Sequence, residues 1–161
     1  MENYNIRSGT IQDLERISQI EAEVFPEAEA ATKDKYEWRI KYIGDWFWVL
    51  ESDGAIRSFI FGRQTELDYI DDELYEKSTM AKGDYVVIMT LATQTDYQCK
   101  GFGGALLDFI IDEAKRTNMA GLTLGCKEKR IDYYSKYGFE SNGVSESDHG
   151  GAVWYDMKLL L

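Results

Sequence analysis

Tyr85 to Thr93 is the stretch that most constrains the fold. Its nine residues are dominated by β-formers and are apolar on both faces, which reads as a central strand covered on two sides. Helical spacing of Leu106, Leu107, Ile110 and Ala114 follows across 103–116, and Gly121 to Cys126 is a second buried strand. A strand, a loop, an amphipathic helix and another buried strand make one crossover unit. That excludes all-α and all-β architectures.

The flanking segments complete the order. Tyr4 to Arg7 alternates as a first strand. Thr10, with Asp13 three residues on, reads as a variant capping box of an amphipathic helix over 11–24, along which Ile11, Leu14, Ile17, Ile20 and Val24 recur at helical spacing. Thr32 caps a second helix to Ile43, with Tyr36, Trp38 and Tyr42 partly exposed by periodicity. Trp46–Glu51 and Ala55–Gly62 form a hairpin around Ser52-Asp53-Gly54. Residues 64–83 are a polar loop with one helical turn near Asp71 to Lys77. Arg130 to Tyr137 is a short helix stopped by Gly138 at its C′ position. Phe139–Asn142 and Ala152–Leu160 are the last strands, joined by the loop from Gly143 to Gly151. The order β-α-α-β-β-β-α-β-α-β-β predicts an α/β fold: a mixed, mostly antiparallel central sheet flanked by helices.

At 161 residues the chain suits one domain, 1–161, with no linker, repeat or low-complexity segment. No apolar run reaches the roughly 20 residues of a membrane helix, and the N-terminus has no signal-peptide pattern. The expected location is cytoplasmic, with no membrane partner. A net charge of −11 opposes nucleic acid binding. Cys99 and Cys126 are far apart, and with one histidine in the chain no metal site is expected. Both cysteines read as reduced thiols.

Chemistry concentrates in Gln98-Cys99-Lys100-Gly101-Phe102-Gly103-Gly104-Ala105, between the central strand and the amphipathic helix. There, unpaired backbone N–H groups at a helix N-terminus can bind phosphate oxygens, and the glycines remove Cβ atoms from their path. A dinucleotide fingerprint fails because Leu106 stands three residues after Gly103, and no Gly-Lys pair is followed by Ser or Thr as a P-loop requires. Taken alone, the loop is also compatible with a tight turn that binds nothing.

Gln98-x-x-Gly101-x-Gly103-Gly104 resembles the acetyl-CoA signature (Q/R)-x-x-G-x-(G/A) of the GNAT acetyltransferases. Tyr133-Tyr134-Ser135-Lys136-Tyr137-Gly138-Phe139 is similar to that superfamily's late FY-x-K-x-GF segment. The order of elements is also the superfamily's. The resemblance covers nearly the whole chain and runs closest to the arylalkylamine N-acetyltransferase-like branch, through Phe59-Ile60-Phe61-Gly62 and Cys126-Lys127-Glu128.

The resemblance implies the GNAT-type acyl-CoA N-acyltransferase fold and direct acetyl transfer from acetyl-CoA to a primary amine in a ternary complex. No metal is implied, and many members are homodimers. It carries the CoA pyrophosphate onto the loop amides of Gln98, Cys99, Lys100, Gly101, Phe102, Gly103 and Gly104. It carries the pantetheine arm onto the backbone of Leu91, Ala92 and Thr93, where the family's strand bulges. The oxyanion donor is a backbone N–H near Thr90 or Leu91. Tyr134 matches the tyrosine beside the thioester sulfur, where a phenol with a pKa of about 10 can protonate a thiolate whose conjugate acid is near 8.5 if it is well positioned.

The chain departs from that branch where two histidines help remove the amine's proton: Val87 and Met89 stand there. An alkylamine of pKa near 10.4 is neutral at pH 7 to the order of one part in a thousand, which withholds roughly 4–5 kcal/mol. Water chains ending on Glu23, Glu27 or Glu29 are the candidates to assist. His149 lies on a loop that the resemblance sets near the acceptor mouth. The loop carrying Glu66, Asp68, Asp71, Asp72, Glu73 and Glu76 could attract cationic amines such as polyamines, and its Tyr69 and Tyr75 could instead stack on an aromatic amine. A protein or peptide acetyltransferase, an acetyl-CoA-binding module without turnover, and an interaction protein with an empty loop are the rival readings.

Overall fold

The computed structural model describes residues 3–69, 71–72 and 82–161. Seven strands form one sheet in the order β1-β2-β3-β4-β5-β7-β6. They are β1 (Asn5–Ser8), β2 (Trp46–Ser52), β3 (Ala55–Thr65), β4 (Tyr85–Thr93), β5 (Gly121–Cys126), β6 (Glu140–Val144) and β7 (Tyr155–Leu160). The helices are α1 (Leu14–Val24), α2 (Lys33–Ile43), α3 (Phe102–Arg116) and α4 (Ile131–Ser135). The order of elements is the one the sequence predicts, and the architecture is the expected mixed α/β fold. β4 and β5 pair in parallel, whereas β1–β2, β5–β7 and β6–β7 are antiparallel. Among the described residues no helix is long and apolar enough to cross a membrane.

Backbone contacts divide the chain into two compact units, residues 1–61 with 90–109 and residues 62–89 with 110–161. In the first unit, Ile17 and Ile20 of α1 are buried with Tyr36 of α2 and the aromatic residues of β2 and β3. Phe47 and Phe61 stack at a centroid distance of 4.9 Å, and Tyr36 meets Phe59 and Phe61 edge-on at 5.8 and 6.0 Å. The α1 start is fixed by the predicted capping box, in which the Thr10 side chain and Asp13 carboxylate satisfy opposing backbone N–H groups. In the second unit, Val86, Val87 and Ile88 of β4 and Leu122 and Leu124 of β5 are buried with Ile110 and Ala114 of α3. Thr123 is buried there too, its hydroxyl donating to the Met157 carbonyl at 3.0 Å.

Several expectations need correction. Tyr36 is fully buried, not partly exposed like Trp38; Tyr42 is exposed. Periodicity misses this because α2 carries Tyr36 and Arg39 on the face that also buries Ile43. Residues 11–13 form a 3₁₀ turn leading into α1, and residues 128–130 do the same before α4. β3 continues past Gly62 to Thr65, and β6 reaches Val144. β7 starts at Tyr155 because His149–Gly151 closes a turn in which Gly150 and Gly151 have positive φ. The helical turn predicted near 71–77 lies outside the described residues, as do Glu73, Tyr75 and Glu76.

Candidate functional site

The parallel β4–β5 register runs from Tyr85↔Gly121 to Ile88↔Leu124, yet β4 continues for five residues to Thr93. Backbone groups of successive strand residues point to opposite edges. The Ala92 carbonyl accepts from the buried Ser58 hydroxyl of β3 at 2.8 Å, and the Gln94 N–H donates to the Arg57 carbonyl at 2.8 Å. At its end, Ala92 and Gln94 therefore face β3, whereas just before the strand the Asp84 carbonyl accepts from the Ala120 N–H on the β5 side at 2.7 Å, so the alternation shifts within β4. Thr93, between Ala92 and Gln94, turns its N–H and C=O groups to the other edge. The Thr93 carbonyl on that edge accepts from Gln98 Nε2 at 3.1 Å.

The turn out of β4 is held from several sides. The Glu23 carboxylate accepts from the Thr95 N–H at 2.8 Å, and Arg16 and Arg57 both donate to Gln94 Oε1, at 2.7 and 3.1 Å. The Arg57 guanidinium lies 4.2 Å from the centre of the Tyr97 ring, whose hydroxyl donates to Asp53 at 3.0 Å. Cys99 and Gly101 adopt left-handed conformations, with φ of 63° and 86°. A Cβ at Gly101 would meet nothing within 4 Å, so glycine serves the backbone angle there and not packing.

α3 opens with buried Phe102, which contacts the rings of Tyr97 and Tyr4. Its first internal bond is Ala105 N–H to the Gly101 carbonyl, at 3.0 Å. The amides of Phe102, Gly103 and Gly104 precede that bond and carry the positive end of the helix dipole. No acidic residue occupies the first turn, while Lys115 and Arg116 occupy the last. Open space beside Gly101, first-turn amides that lack an intrahelical partner and the absence of an acid in that turn fit a bound polyphosphate.

Tyr134 lies in the second unit, half-buried on α4. Its segment ends in a Schellman cap: the Phe139 N–H reaches the Tyr134 carbonyl at 3.4 Å and the Gly138 N–H reaches that of Ser135 at 3.1 Å. Gly138 has the required positive φ of 96°. The buried Phe139 ring meets Tyr134 edge-on at 6.2 Å, the hydrophobic contact this cap favours. The GF pair is thus the device that fixes the tyrosine. Burial, with Tyr133 and Cys126 adding to it, pushes the Tyr134 phenol above its ordinary range, so it is protonated at neutral pH. Burial also pushes the Cys126 thiol up to about 11.

Val87 is fully buried and Met89 half-buried, so no proton acceptor sits on that part of β4. Glu23 is exposed and bound to Thr95, an interaction that holds its carboxyl below the usual range and makes it a weaker base. Glu27 is exposed and Glu29 half-buried. His149 is exposed in its turn, its carbonyl accepting from the Trp154 indole at 2.8 Å. Acids of the 66–72 segment are partly engaged by the protein itself. Asp68 pairs with Lys158 at 2.9 Å, Glu66 with Lys82 at 3.8 Å, and Asp72 accepts from the Ser147 hydroxyl at 2.5 Å.

Sequence reasoning missed a buried polar group in the first unit. Glu21 of α1 is 3% exposed, and its Oε1 accepts from the Tyr36 hydroxyl at 2.7 Å. The same phenol oxygen lies 3.0 Å from Thr90 Oγ1 on β4. Glu21 Oε2 accepts from the Ala31 N–H at 2.9 Å, and the Arg39 guanidinium lies 5.2 Å from the centre of the Tyr36 ring. The signal was available: Glu21 is four residues from Ile17 on the inward stripe of α1, where a carboxylate needs a partner. Among the described residues no cluster of three His, Cys, Asp or Glu could hold a metal ion.

No curated protein matches the chain in sequence. Solved structures share its fold. The loading GNATL domain of CurA from Lyngbya majuscula matches with a TM-score of 0.79 at 14% identity over 98% of each chain. The GphF GNAT-like decarboxylase in complex with isobutyryl-CoA matches at 0.77 and 16%, covering 97% of this chain and 98% of that one. The ribosomal-protein-S18-alanine N-acetyltransferase of Escherichia coli matches at 0.75 and 20%, covering 98% and 94%. The model of the acetyltransferase (GNAT) domain matches residues 44–141, which contain β4, the glycine loop, α3 and the Tyr134 segment. With more than half of its length matched by that model, the chain belongs to the GNAT family of acetyltransferases.

Proposed function

We propose that residues 1–161 act as a single acetyl-CoA-dependent N-acetyltransferase domain. Its acceptor is a primary amine, most simply a small arylalkylamine as in the branch the sequence resembles, and the amine attacks directly in a ternary complex. The observation that carries this reading is the first turn of α3, with open space beside Gly101, no acid of its own and amides that lack an intrahelical partner.

In this reading Gln98 to Gly104 hold the donor's pyrophosphate. Leu91 and Thr93 pair with its pantetheine arm, while Ala92 between them stays bonded to Ser58. Bound acetyl-CoA supplies a thioester carbonyl open to attack. A backbone N–H near Thr90 or Leu91 stabilises the oxyanion that develops there. Tyr134 protonates the departing thiolate. Its raised pKa keeps it protonated but makes it a weaker acid, so the transfer relies on the thiolate being desolvated and made more basic by the same surroundings.

Two further readings have an observation each. A protein or peptide acceptor is favoured by the likeness to the E. coli N-acetyltransferase, which acts on an alanine of ribosomal protein S18. Binding without turnover is favoured by Val87 and Met89 standing where the branch has histidines.

The deciding experiment measures CoA thiol release from acetyl-CoA with arylalkylamines, polyamines, amino acids and lysine or N-terminal peptides, with Tyr134→Phe alongside. Release that needs a free amine and falls in the variant is expected. Release with peptides alone supports the peptide reading. Tight acetyl-CoA binding with no release from any acceptor supports the binding module.

A further inference from the structure

We propose that Glu21 is the terminal proton acceptor for the attacking amine, reached through the hydroxyls of Thr90 and Tyr36. This rests on the acetyltransferase reading above and supplies the base that Val87 and Met89 cannot be.

Three elements build the chain: Glu21 from α1, Tyr36 from α2 and Thr90 from β4. The oxygens are 2.7 and 3.0 Å apart, within hydrogen-bond reach at both steps. A phenol has one proton, and the carboxylate is its stronger acceptor. Tyr36 therefore donates to Glu21, and Thr90 donates to the phenol oxygen. Thr90 Oγ1 keeps its lone pairs for a further donor.

Burial grades along the chain. Glu21 and Tyr36 are 3% and 0% exposed, whereas Thr90 is 9% exposed and lies on the stretch of β4 to which the acetyltransferase reading assigns the oxyanion. In that reading the polar path runs from the reacting centre into the protein. The charged groups acting on the Tyr36 phenol are the Glu21 carboxylate from α1 and the Arg39 guanidinium from α2; β4 offers only the neutral Thr90 hydroxyl. Burial, reinforced by Glu21, holds the phenol well above its ordinary range. Tyr36 consequently passes a proton on while receiving another and does not itself ionise.

The step balances. The ammonium N–H proton moves to Thr90 Oγ1, directly or through one water. Thr90 gives its own proton to Tyr36 Oη, and Tyr36 gives its own to Glu21 Oε1. In the direct transfer one N–H and two O–H bonds break and three O–H bonds form; an intervening water adds one O–H broken and one formed. The amine is left neutral with its lone pair free, and Glu21 becomes a carboxylic acid that returns its proton to solvent by the reverse path.

The test uses Thr90→Val, Tyr36→Phe and Glu21→Gln, each close in shape to the original, with Thr90→Ser as the rescuing variant. Acceptors are propylamine and 2-phenylethylamine, each paired with its β,β-difluoro analogue. The fluorines leave those analogues largely neutral near pH 8, so they need no base. We expect kcat/KM for the parent amines to fall about 10²-fold or more in the first three variants. The same variants should fall less than about threefold with the fluorinated acceptors, and Thr90→Ser should recover most of the rate. Against pH, the variants' log kcat/KM should climb with a slope of about one up to the amine's own pKa, where wild type levels off earlier.

Equal losses on both members of a pair, or a pH profile lowered without change of shape, would overturn the relay and leave these residues a packing role. A wild-type protein inert toward every amine would bring down the acetyltransferase reading and the relay together. Active wild type with unaffected variants would bring down the relay alone.

Discussion

Gln98 Nε2 donates to the Thr93 carbonyl over 3.1 Å, fastening the first residue of the signature loop to the last residue of β4. Gln98 is exposed, so its removal should cost the fold less than about 0.5 kcal/mol. The loop would lose a bond worth about 1 kcal/mol of orientation. Gln98→Ala is expected to raise KM for acetyl-CoA about fivefold with kcat within twofold, read from steady-state CoA release.

Arg7 grips both oxygens of Asp13 at 2.9 Å while the Thr10 N–H reaches the same carboxylate at 2.8 Å. Burial of Asp13 pushes its pKa up, but the bonds from Arg7 and Thr10 together outweigh this and hold it below the ordinary value. A carboxyl depressed in the folded state adds stability above its unfolded pKa of about 3.9, and that stability is lost as pH falls through the folded value. Asp13→Asn should lose about 1–3 kcal/mol at pH 7 in urea unfolding. The gap from wild type should close below about pH 4.

Tyr134→Phe keeps the ring against Phe139 and removes only the hydroxyl. Its Tm should stay within about 2 °C of wild type, and acetyl-CoA affinity within about twofold. Turnover should fall about 10²-fold. Because burial raises the phenol's pKa, wild type should show no alkaline loss from this group up to its ordinary value of 10.0. An alkaline limb below that pH, lost in the phenylalanine variant, would contradict the assignment.

The two cysteines should react very differently. Cys99 is exposed in the loop, whereas Cys126 is buried with its thiol pushed up to about 11. A thiolate-seeking reagent at about pH 7.5 is expected to label Cys99 fast and Cys126 slowly. Saturating acetyl-CoA should slow Cys99 labelling at least tenfold, as followed by mass spectrometry. Unchanged labelling would remove Cys99 from the pyrophosphate cradle.

Much of this architecture is legible in residue order because each element announces itself locally. Thr10 with Asp13 marks the start of the first helix, and the doubly apolar run of β4 sets the centre of the sheet. Gly138 marks a Schellman cap before any geometry is seen. Inward-facing polar residues are harder to read. Tyr36 and Arg39 look like surface residues because polar chemistry on a helix is usually solvated, and although the stripe of α1 turns Glu21 inward, only the alignment of α1, α2 and β4 shows its partners. The same limit applies to Ala92, whose carbonyl is claimed by the hydroxyl of Ser58, more than thirty residues earlier.

α3 has one further consequence. Its last turn carries Lys115 and Arg116, while its first turn holds no acid to answer the dipole there. In the proposed reading, part of the helix's electrostatic completion would come from the bound donor's phosphates. An anion lodged on those amides would act as a detachable cap, and the folded state would gain stability in proportion to the logarithm of its concentration. Melting temperature then becomes a titration of the donor site, and the turnover cycle one in which the enzyme alternately sheds and recovers a piece of its own fold.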